Sequence, residues 1–259
     1  MYKRNLYQKQ ISSYLNKPVI KVITGMRRVG KSCLLKLVIE DLSDNTIEKN
    51  RILYINKESL EFDFIVNYKD LYDYVETKFK NIQGQKYLFI DEIQEIDLWE
   101  KAVTSFFSRQ DIDIFITGSN AKLLSSELAT LLSGRYVEIE VYSLGFKEFI
   151  EFRQKKENSS NPDHFKNYLQ FGGLPALHAF YLNEETIFQY LNSIYDTIIL
   201  KDVIKRNSVR NVSLLENLTK YIFDNIGNIF SAKKIADFLK SQNLKVGVET
   251  IQKDRKSVV

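Results

Sequence analysis

One cysteine, Cys33, stands among 259 residues, which excludes an internal disulfide and implies a reducing compartment. With two histidines it also leaves no Cys/His cluster for structural zinc. Ten glycines and three prolines exclude collagenous and low-complexity classes. Nowhere do 18 apolar residues follow one another, and the basic start MYKRNLYQKQ runs into polar residues rather than an apolar signal core. The expectation is a cytoplasmic protein with no membrane partner. The excess of one charge sign is small as well: +4, from 37 basic against 33 acidic residues, argues for no anionic partner by itself. Its distribution is uneven, because Lys201 to Val259 holds 12 basic and 6 acidic residues, a surplus of +6, while the first 200, with 25 and 27, stand at −2.

What is present is ordinary for a folded chain. Apolar residues make up 44% and charged residues 27%, and the length suits one large domain or one with a smaller second. Short β-rich runs, 19–24, 52–56, 87–90, 112–117 and 136–141, alternate with stretches of helical period at 32–41, 71–82, 99–109 and 122–133. That alternation predicts a parallel sheet covered on both faces. After Val141 the β signal ends and helical periodicity takes over, broken by the polar run KKENSSNPD at 155–163, where a domain boundary is placed. FGGLP at 171–175 reads as a turn, and Leu191, Ile194, Tyr195, Ile198, Ile199 and Val203 mark a long helix. Ser213 with Glu216 forms a capping-box signature for another, and Ser231 caps a shorter one.

The strongest chemical signal follows the first strand. Gly25-Met26-Arg27-Arg28-Val29-Gly30-Lys31-Ser32 fits G-x-x-x-x-G-K-[ST], in which glycines let backbone N–H groups close around a β-phosphate. In that pattern Lys31 reaches the β and γ oxygens, Ser32 ligates Mg²⁺, and the helix dipole adds to the attraction. Met26, Arg27 and Arg28 project from the loop, either solvated or on phosphate. Cys33, next along the helix, reads as a small buried residue at the edge of this site. Some sixty residues on, Tyr87-Leu88-Phe89-Ile90 delivers Asp91 and Glu92 at the end of a strand where open α/β sheets bind ligands. Asp91 would hold Mg²⁺ and Glu92 would polarise a water for attack on the γ-phosphate, with Glu95 the alternative acid. Thr117-Gly118-Ser119-Asn120 ends the next strand: Asn120 or Ser119 senses the γ-phosphate, or the pair turns the chain and caps a helix. Arg135 precedes the last strand, placed to reach a neighbouring subunit's γ-phosphate as an arginine finger, or else to lie on the surface or pair with Glu138 or Glu140. His164 and His178 lack partner spacing and read as structural. Asn56-Lys57-Glu58-Ser59 lacks the final aspartate of the guanine-reading N-K-x-D, which favours ATP over GTP.

Taken together, GMRRVGKS, YLFIDEIQ, TGSN, SGRY, SLGFKEFIEF and FGGLP resemble the bacterial and archaeal AAA-type ATPases that carry a C-terminal domain of unknown function. The resemblance runs from about Leu6 to Val248. It implies an α/β P-loop NTPase fold with a parallel five-stranded sheet of order 5-1-4-3-2, followed by an α-helical lid and a partial winged-helix-like module. The corresponding expected divisions are 1–157, 158–212 and 213–259. It also implies ATP and Mg²⁺ as cofactors, Lys31, Glu92, Asn120 and Arg135 as catalytic residues, Gly25 to Cys33 as the nucleotide cradle, and Ser32 with Asp91 at the metal. A homo-oligomer joined through Arg135 is the expected assembly.

Three functions compete. The first is an ATPase whose cycle drives a conformational change in an attached module or partner. The second is a nucleotide-gated DNA-binding regulator of low turnover, supported by helix-turn-helix spacing (a helix from Ser231, a turn near Asn243, a helix from Val248) and the +6 tail; that module is also a protein-docking candidate. The third, a phosphotransferase, needs an acceptor pocket that no motif supplies. The helix-turn-helix signal stops at Asp254-Arg255-Lys256-Ser257-Val258-Val259, a string that translation of a common sequencing adapter also yields. The expectation is that these six residues are a scar and that the segment after about Asn228 is exposed, with Ile235, Phe238, Leu239, Val246 and Val248 belonging to a half-missing core.

Overall fold

The computed structural model describes residues 2–45, 47–119, 130, 132–154, 163–180, 183–198, 204, 212–229 and 231–241. Five strands, β1 (Ile20–Thr24), β2 (Ile52–Asn56), β3 (Lys86–Asp91), β4 (Ile112–Thr117) and β5 (Tyr136–Glu140), form one sheet of order β2-β3-β4-β1-β5. Every pairing is parallel, with Ile20 opposite Tyr136, Val22 opposite Ile116, Leu88 opposite Ile114 and Ile55 opposite Ile90. This is the expected order read from the other edge. β-Branched and aromatic residues suit the pleated surface, and the three inner strands are buried from end to end, as a sheet covered on both faces requires.

Helices α1 (Asn5–Ser13), α2 (Lys31–Asp44), α3 (Tyr68–Phe79) and α4 (Trp99–Ser108) cover the sheet. On one face Ile20, Val22, Leu88, Ile90, Ile114 and Ile116 pack with Leu71, Val75 and Phe79 of α3 and Ala102, Val103 and Phe106 of α4. The alternate residues Phe89 and Phe115, stacked with ring centroids 4.6 Å apart, point to the opposite face. α3 starts three residues before the apolar period because Asn67 and Asp70 make a reciprocal capping box. The inner strands also bury one ion pair, Lys21 of β1 with Asp113 of β4, closed by the Lys17 carbonyl on Lys21 Nζ at 3.1 Å and by the Asn16 N–H on Asp113 Oδ2 at 2.8 Å.

Beyond the sheet come α5 (Phe146–Gln154), α6 (His164–Phe171), α7 (Glu184–Thr197), α8 (Val212–Asp224) and α9 (Ala232–Ser241). The chain divides into two compact units, Met1–Ile187 and Phe188–Val259. In the second, Leu214 and Leu218 of α8 pack with Ile235, Ala236 and Leu239 of α9, and the Tyr221 and Phe238 rings lie 4.6 Å apart. The α9 face expected to lack its other half therefore has α8 against it, while Phe223, Ile226 and Ile229 stay exposed. Ser231 caps α9 as expected, accepting the Lys234 N–H at 3.3 Å. Ser213 does not cap α8, because the helix already includes Val212 and Ser213 lies inside its first turn. The expected helix at 122–133, the second helix from Val248 and residues 254–259 lie outside the described residues, apart from residues 130, 132 and 133 of the first. No described helix is long and apolar enough to cross a membrane.

Candidate functional site

The loop joining β1 to α2 is held open by its glycines. Gly25 has φ 141°, and a Cβ there would come within 2.2 Å of the Val141 carbonyl oxygen, so no other residue fits. Gly30 has φ 99° and occupies the N-cap of α2, which has no side-chain cap. The first-turn N–H groups of α2 therefore face the loop without a competing protein acceptor from the cap. Arg28 also takes a left-handed backbone, φ 68°, and its side chain is exposed with that of Met26; Arg27 and Ser32 are half-buried and Val29 is buried. Lys31 is buried and folds back over the loop, its Nζ donating to the Gly25 carbonyl at 3.0 Å and the Met26 carbonyl at 3.1 Å. Burial lowers its pKa below the ordinary 10.5, helped by Arg27, while Glu92 and Asp91 pull the other way.

Cys33 is exposed rather than buried. The buried stripe of α2 runs through Leu34, Leu35, Leu37 and Val38, and Cys33 falls on the opposite stripe with Lys36 and Glu40.

At the end of β3, Asp91 is 1% exposed and both carboxylate oxygens are engaged. Oδ2 accepts the Tyr54 hydroxyl at 2.9 Å, and Oδ1 accepts the hydroxyl of Thr117. Burial first, and then Asp91, push the Tyr54 phenol well above its ordinary 10.0. Glu92 follows with a left-handed backbone, φ 56°, and its N–H donates to Thr117 Oγ1 at 3.1 Å. Its carboxylate Oε2 accepts Gln94 Nε2. Glu95 is exposed, so the sheltered acid is Glu92. Ser119 is 2% exposed, and its hydroxyl has no hydrogen-bond partner among the described residues. Asn120, the other candidate sensor, lies outside the described residues.

Tyr54, Thr117 and Gln94, which hydrogen-bond to Asp91 and Glu92, are given no role by the motifs. Thr117 had a visible signal, since it ends the strand adjacent to that of Asp91. Tyr54 and Gln94 depend on register and on a backbone twist that no motif encodes.

Two further segments brace the loop. Arg4, ahead of α1, is buried and pairs with Glu148 of α5 through Nε–Oε1 and Nη2–Oε2, both 2.8 Å. The same guanidinium donates to the Tyr142 carbonyl at 2.8 Å and the Val29 carbonyl of the loop at 3.3 Å. From FGGLP, the Gly173 carbonyl accepts the Leu144 N–H at 2.7 Å, and Pro175 Cγ lies 3.9 Å from where a Cβ on Gly30 would sit. His178 is buried between Phe149 and Phe152, at 4.8 and 5.4 Å, in keeping with a structural role.

Arg135 is not brought to this edge. Its carbonyl accepts the Ile20 N–H at 2.9 Å, at the N-terminal end of the sheet. At roughly 3.3 Å per residue, the five-residue strand separates it by about 16 Å from the edge carrying Gly25. Its side chain is exposed with no ion-pair partner among the described residues, and Glu138 instead accepts the Thr24 hydroxyl at 2.8 Å.

The arrangement joins an uncapped helix N-terminus, a buried ammonium and a carboxylate pair at one sheet edge, which suits a polyphosphate carrying a cation. Among the described residues no group of three or more His, Cys, Asp or Glu could hold a metal by itself. Ser32 and Asp91 instead offer the few oxygen donors that suit Mg²⁺ shared with phosphate.

Residues 17–150 match an AAA domain, and residues 162–253 match a domain of unknown function (DUF8612). An uncharacterized protein of Haemophilus influenzae is 38% identical over 98% of this chain and 63% of its own length. One from Methanocaldococcus jannaschii is 35% identical over 90% of this chain and 52% of its own. The chain thus spans less than two thirds of either relative. Among solved structures, the Aeropyrum pernix ORC1 protein in complex with DNA is 10% identical, with TM-score 0.49, covering 98% of this chain and 82% of that one. AMPPCP-bound DnaA from Aquifex aeolicus is 12% identical, with TM-score 0.49, covering 100% and 89%.

Proposed function

The chain belongs to the AAA domain family, and from that premise we propose that it binds ATP with Mg²⁺ and hydrolyses it to drive a conformational change in an attached module or partner. The observation that carries this reading is Thr117, whose hydroxyl joins Asp91 and Glu92 into one unit facing the loop of Lys31. Lys31 holds its ammonium on two loop carbonyls until phosphate oxygens replace them. Uncapped N–H groups of the first α2 turn orient the phosphates, and Ser32 and Asp91 hold the cation. Mg²⁺, when bound, offsets the charge of the β and γ oxygens. Glu92 takes the proton of the attacking water, sheltered from bulk solvent. Ser119, or Asn120 beside it, contacts the γ-phosphate or the water, and the buried unpaired hydroxyl of Ser119 supports that assignment. Arg135 acts only on a neighbouring subunit, since its own site lies at the far end of the sheet.

A second reading, a nucleotide-gated DNA-binding regulator, is supported by the exposed Lys233, Lys234 and Lys240 of α9 within the +6 tail. Steady-state ATPase rate with and without DNA, beside nucleotide affinity, separates the two. Turnover that is lost in Glu92→Gln with binding intact, and in Lys31→Ala through weakened binding, supports the ATPase. Tight ATP binding with negligible turnover and ATP-dependent DNA binding supports the regulator.

A further inference from the structure

Gln94 sits two residues beyond Glu92 in a single 3-10 turn, Ile93–Glu95, which Ile93 and Ile96 pin into the core. The turn is closed by the Glu95 N–H on the Glu92 carbonyl and the Ile96 N–H on the Ile93 carbonyl, both at 3.1 Å. From there the Gln94 amide nitrogen donates to Glu92 Oε2. Amide orientation follows from chemistry, because an amide oxygen placed against a carboxylate oxygen would repel it. The consequence is an amide used on one side only: Gln94 Oε1 is buried and has no hydrogen-bond partner among the described residues. A buried acceptor left open costs stability unless something donates to it in the working state. Glu92 Oε1, for its part, accepts no hydrogen bond from the described residues.

Resting on the ATPase reading above, we propose that Gln94 is a further catalytic residue: its amide nitrogen holds Glu92 in working orientation, and its Oε1 accepts the second hydrogen of the attacking water. A water so held donates one hydrogen to Glu92 and the other to Gln94, which leaves a lone pair for phosphorus. In the step itself, the water oxygen forms the new bond to the γ-phosphorus while the bond to the bridging oxygen breaks. ADP leaves with that electron pair, one water proton passes to Glu92, and the other stays on the phosphate. Neither contact touches the phosphate cradle, so Gln94 contributes to turnover and not to nucleotide affinity.

The test uses the full chain in single-turnover hydrolysis of ATP with Mg²⁺ across pH, beside equilibrium binding of a fluorescent ADP. Gln94→Ala should slow hydrolysis by about 10- to 100-fold with affinity held within about twofold. Gln94→Glu, of the same size, sets a second carboxylate beside Glu92 and should move the acid limb of the rate profile up by about one pH unit. That shift reports the contact between the two side chains, while the catalytic role is read from the fall in turnover at held affinity in Gln94→Ala. Gln94→Ala at the wild-type rate with an unshifted Gln94→Glu profile overturns the role of Gln94, as does loss of nucleotide binding in both variants. Wild type and Glu92→Gln run in parallel: equal rates in those two overturn the ATPase assignment of Glu92 and the role of Gln94 with it. A silent Glu92→Gln beside a fully active Gln94→Ala overturns Gln94 alone.

Discussion

The Thr117 hydroxyl donates to Asp91 while it accepts the backbone N–H of Glu92 at 3.1 Å, so one side chain on β4 sets both acids at the end of β3. Parallel pairing makes this reachable: Ile90 lies opposite Ile116, which puts Thr117 level with Asp91. The left-handed turn at Glu92 is thereby anchored at its first atom.

Thr117→Val keeps the shape and removes both bonds. The Glu92 N–H is then buried without an acceptor, which should cost about 1–3 kcal/mol of stability. Turnover should fall by about 10- to 100-fold while nucleotide affinity stays, because Lys31 and the loop are untouched. Tyr54→Phe should have the smaller effect, since Asp91 keeps its bond from Thr117. Paired denaturation and ATPase measurements on the two variants check the ranking; equal losses would show that the Thr117 bridge has no special place.

How much of this was legible follows the physics of each element. Strands 52–56 and 112–117 match residue for residue because β-rich runs ended by turn residues have little freedom of register with the core. Lys86 was missed at the start of β3 because a charged residue hides a strand end, and here its ammonium pairs with Asp111 at 2.6 Å. The placement of the Gly25–Ser32 loop after β1 and of Asp91-Glu92 at the end of β3 was legible because a strand-turn-helix pattern and a strand ended by acids are visible in the residue order. The Tyr54 and Gln94 contacts were not, since the first is a cross-strand contact and the second requires the left-handed backbone of Glu92. Cys33 was misread because a one-residue step on a helix crosses from the buried stripe to the exposed one.

Lys21 and Asp113 form a buried pair inside the sheet. Burial draws the lysine below its ordinary pKa and pushes the aspartate above its own, with each charge opposing the effect on the other. Lys21→Met leaves Asp113 alone in the core and should destabilise by about 3–5 kcal/mol. Adding Asp113→Leu should restore much of that loss, because an apolar pair needs no compensation. Chemical denaturation of the two variants decides it, and a double variant no more stable than Lys21→Met would contradict the argument.

The Arg4–Glu148 brace should respond to acid. Burial pushes the Glu148 carboxyl up, but the Arg4 hydrogen bond, the Gly145 N–H and the Arg4 charge outweigh it, so its pKa lies below the ordinary 4.5. A depressed folded-state pKa gives stability that is present above the unfolded value and is lost as pH falls through the folded one. Wild type should therefore exceed Glu148→Gln in Tm at neutral pH, with the gap closing below about pH 4.5. A gap that persists unchanged into acid would remove the ion pair as its cause.

Arg135 supplies the last prediction. Its backbone is fixed at the N-terminal end of the sheet, about 16 Å from the edge that carries Gly25, which is beyond the reach of an arginine side chain to its own site. A catalytic role thus requires a second copy, and turnover per subunit should rise with protein concentration. Arg135→Ala should lose turnover by about 10³-fold with ATP affinity intact, the size of effect a finger has when it stabilises transferred charge. Mixing gives the decisive arm. Glu92→Gln subunits still donate Arg135, and Arg135→Ala subunits still hold a complete acid pair, so assembled mixtures should regain part of the wild-type rate. A surface arginine, or one bound into the fold, predicts mixtures no more active than the average of the two variants, and that result would withdraw the assignment.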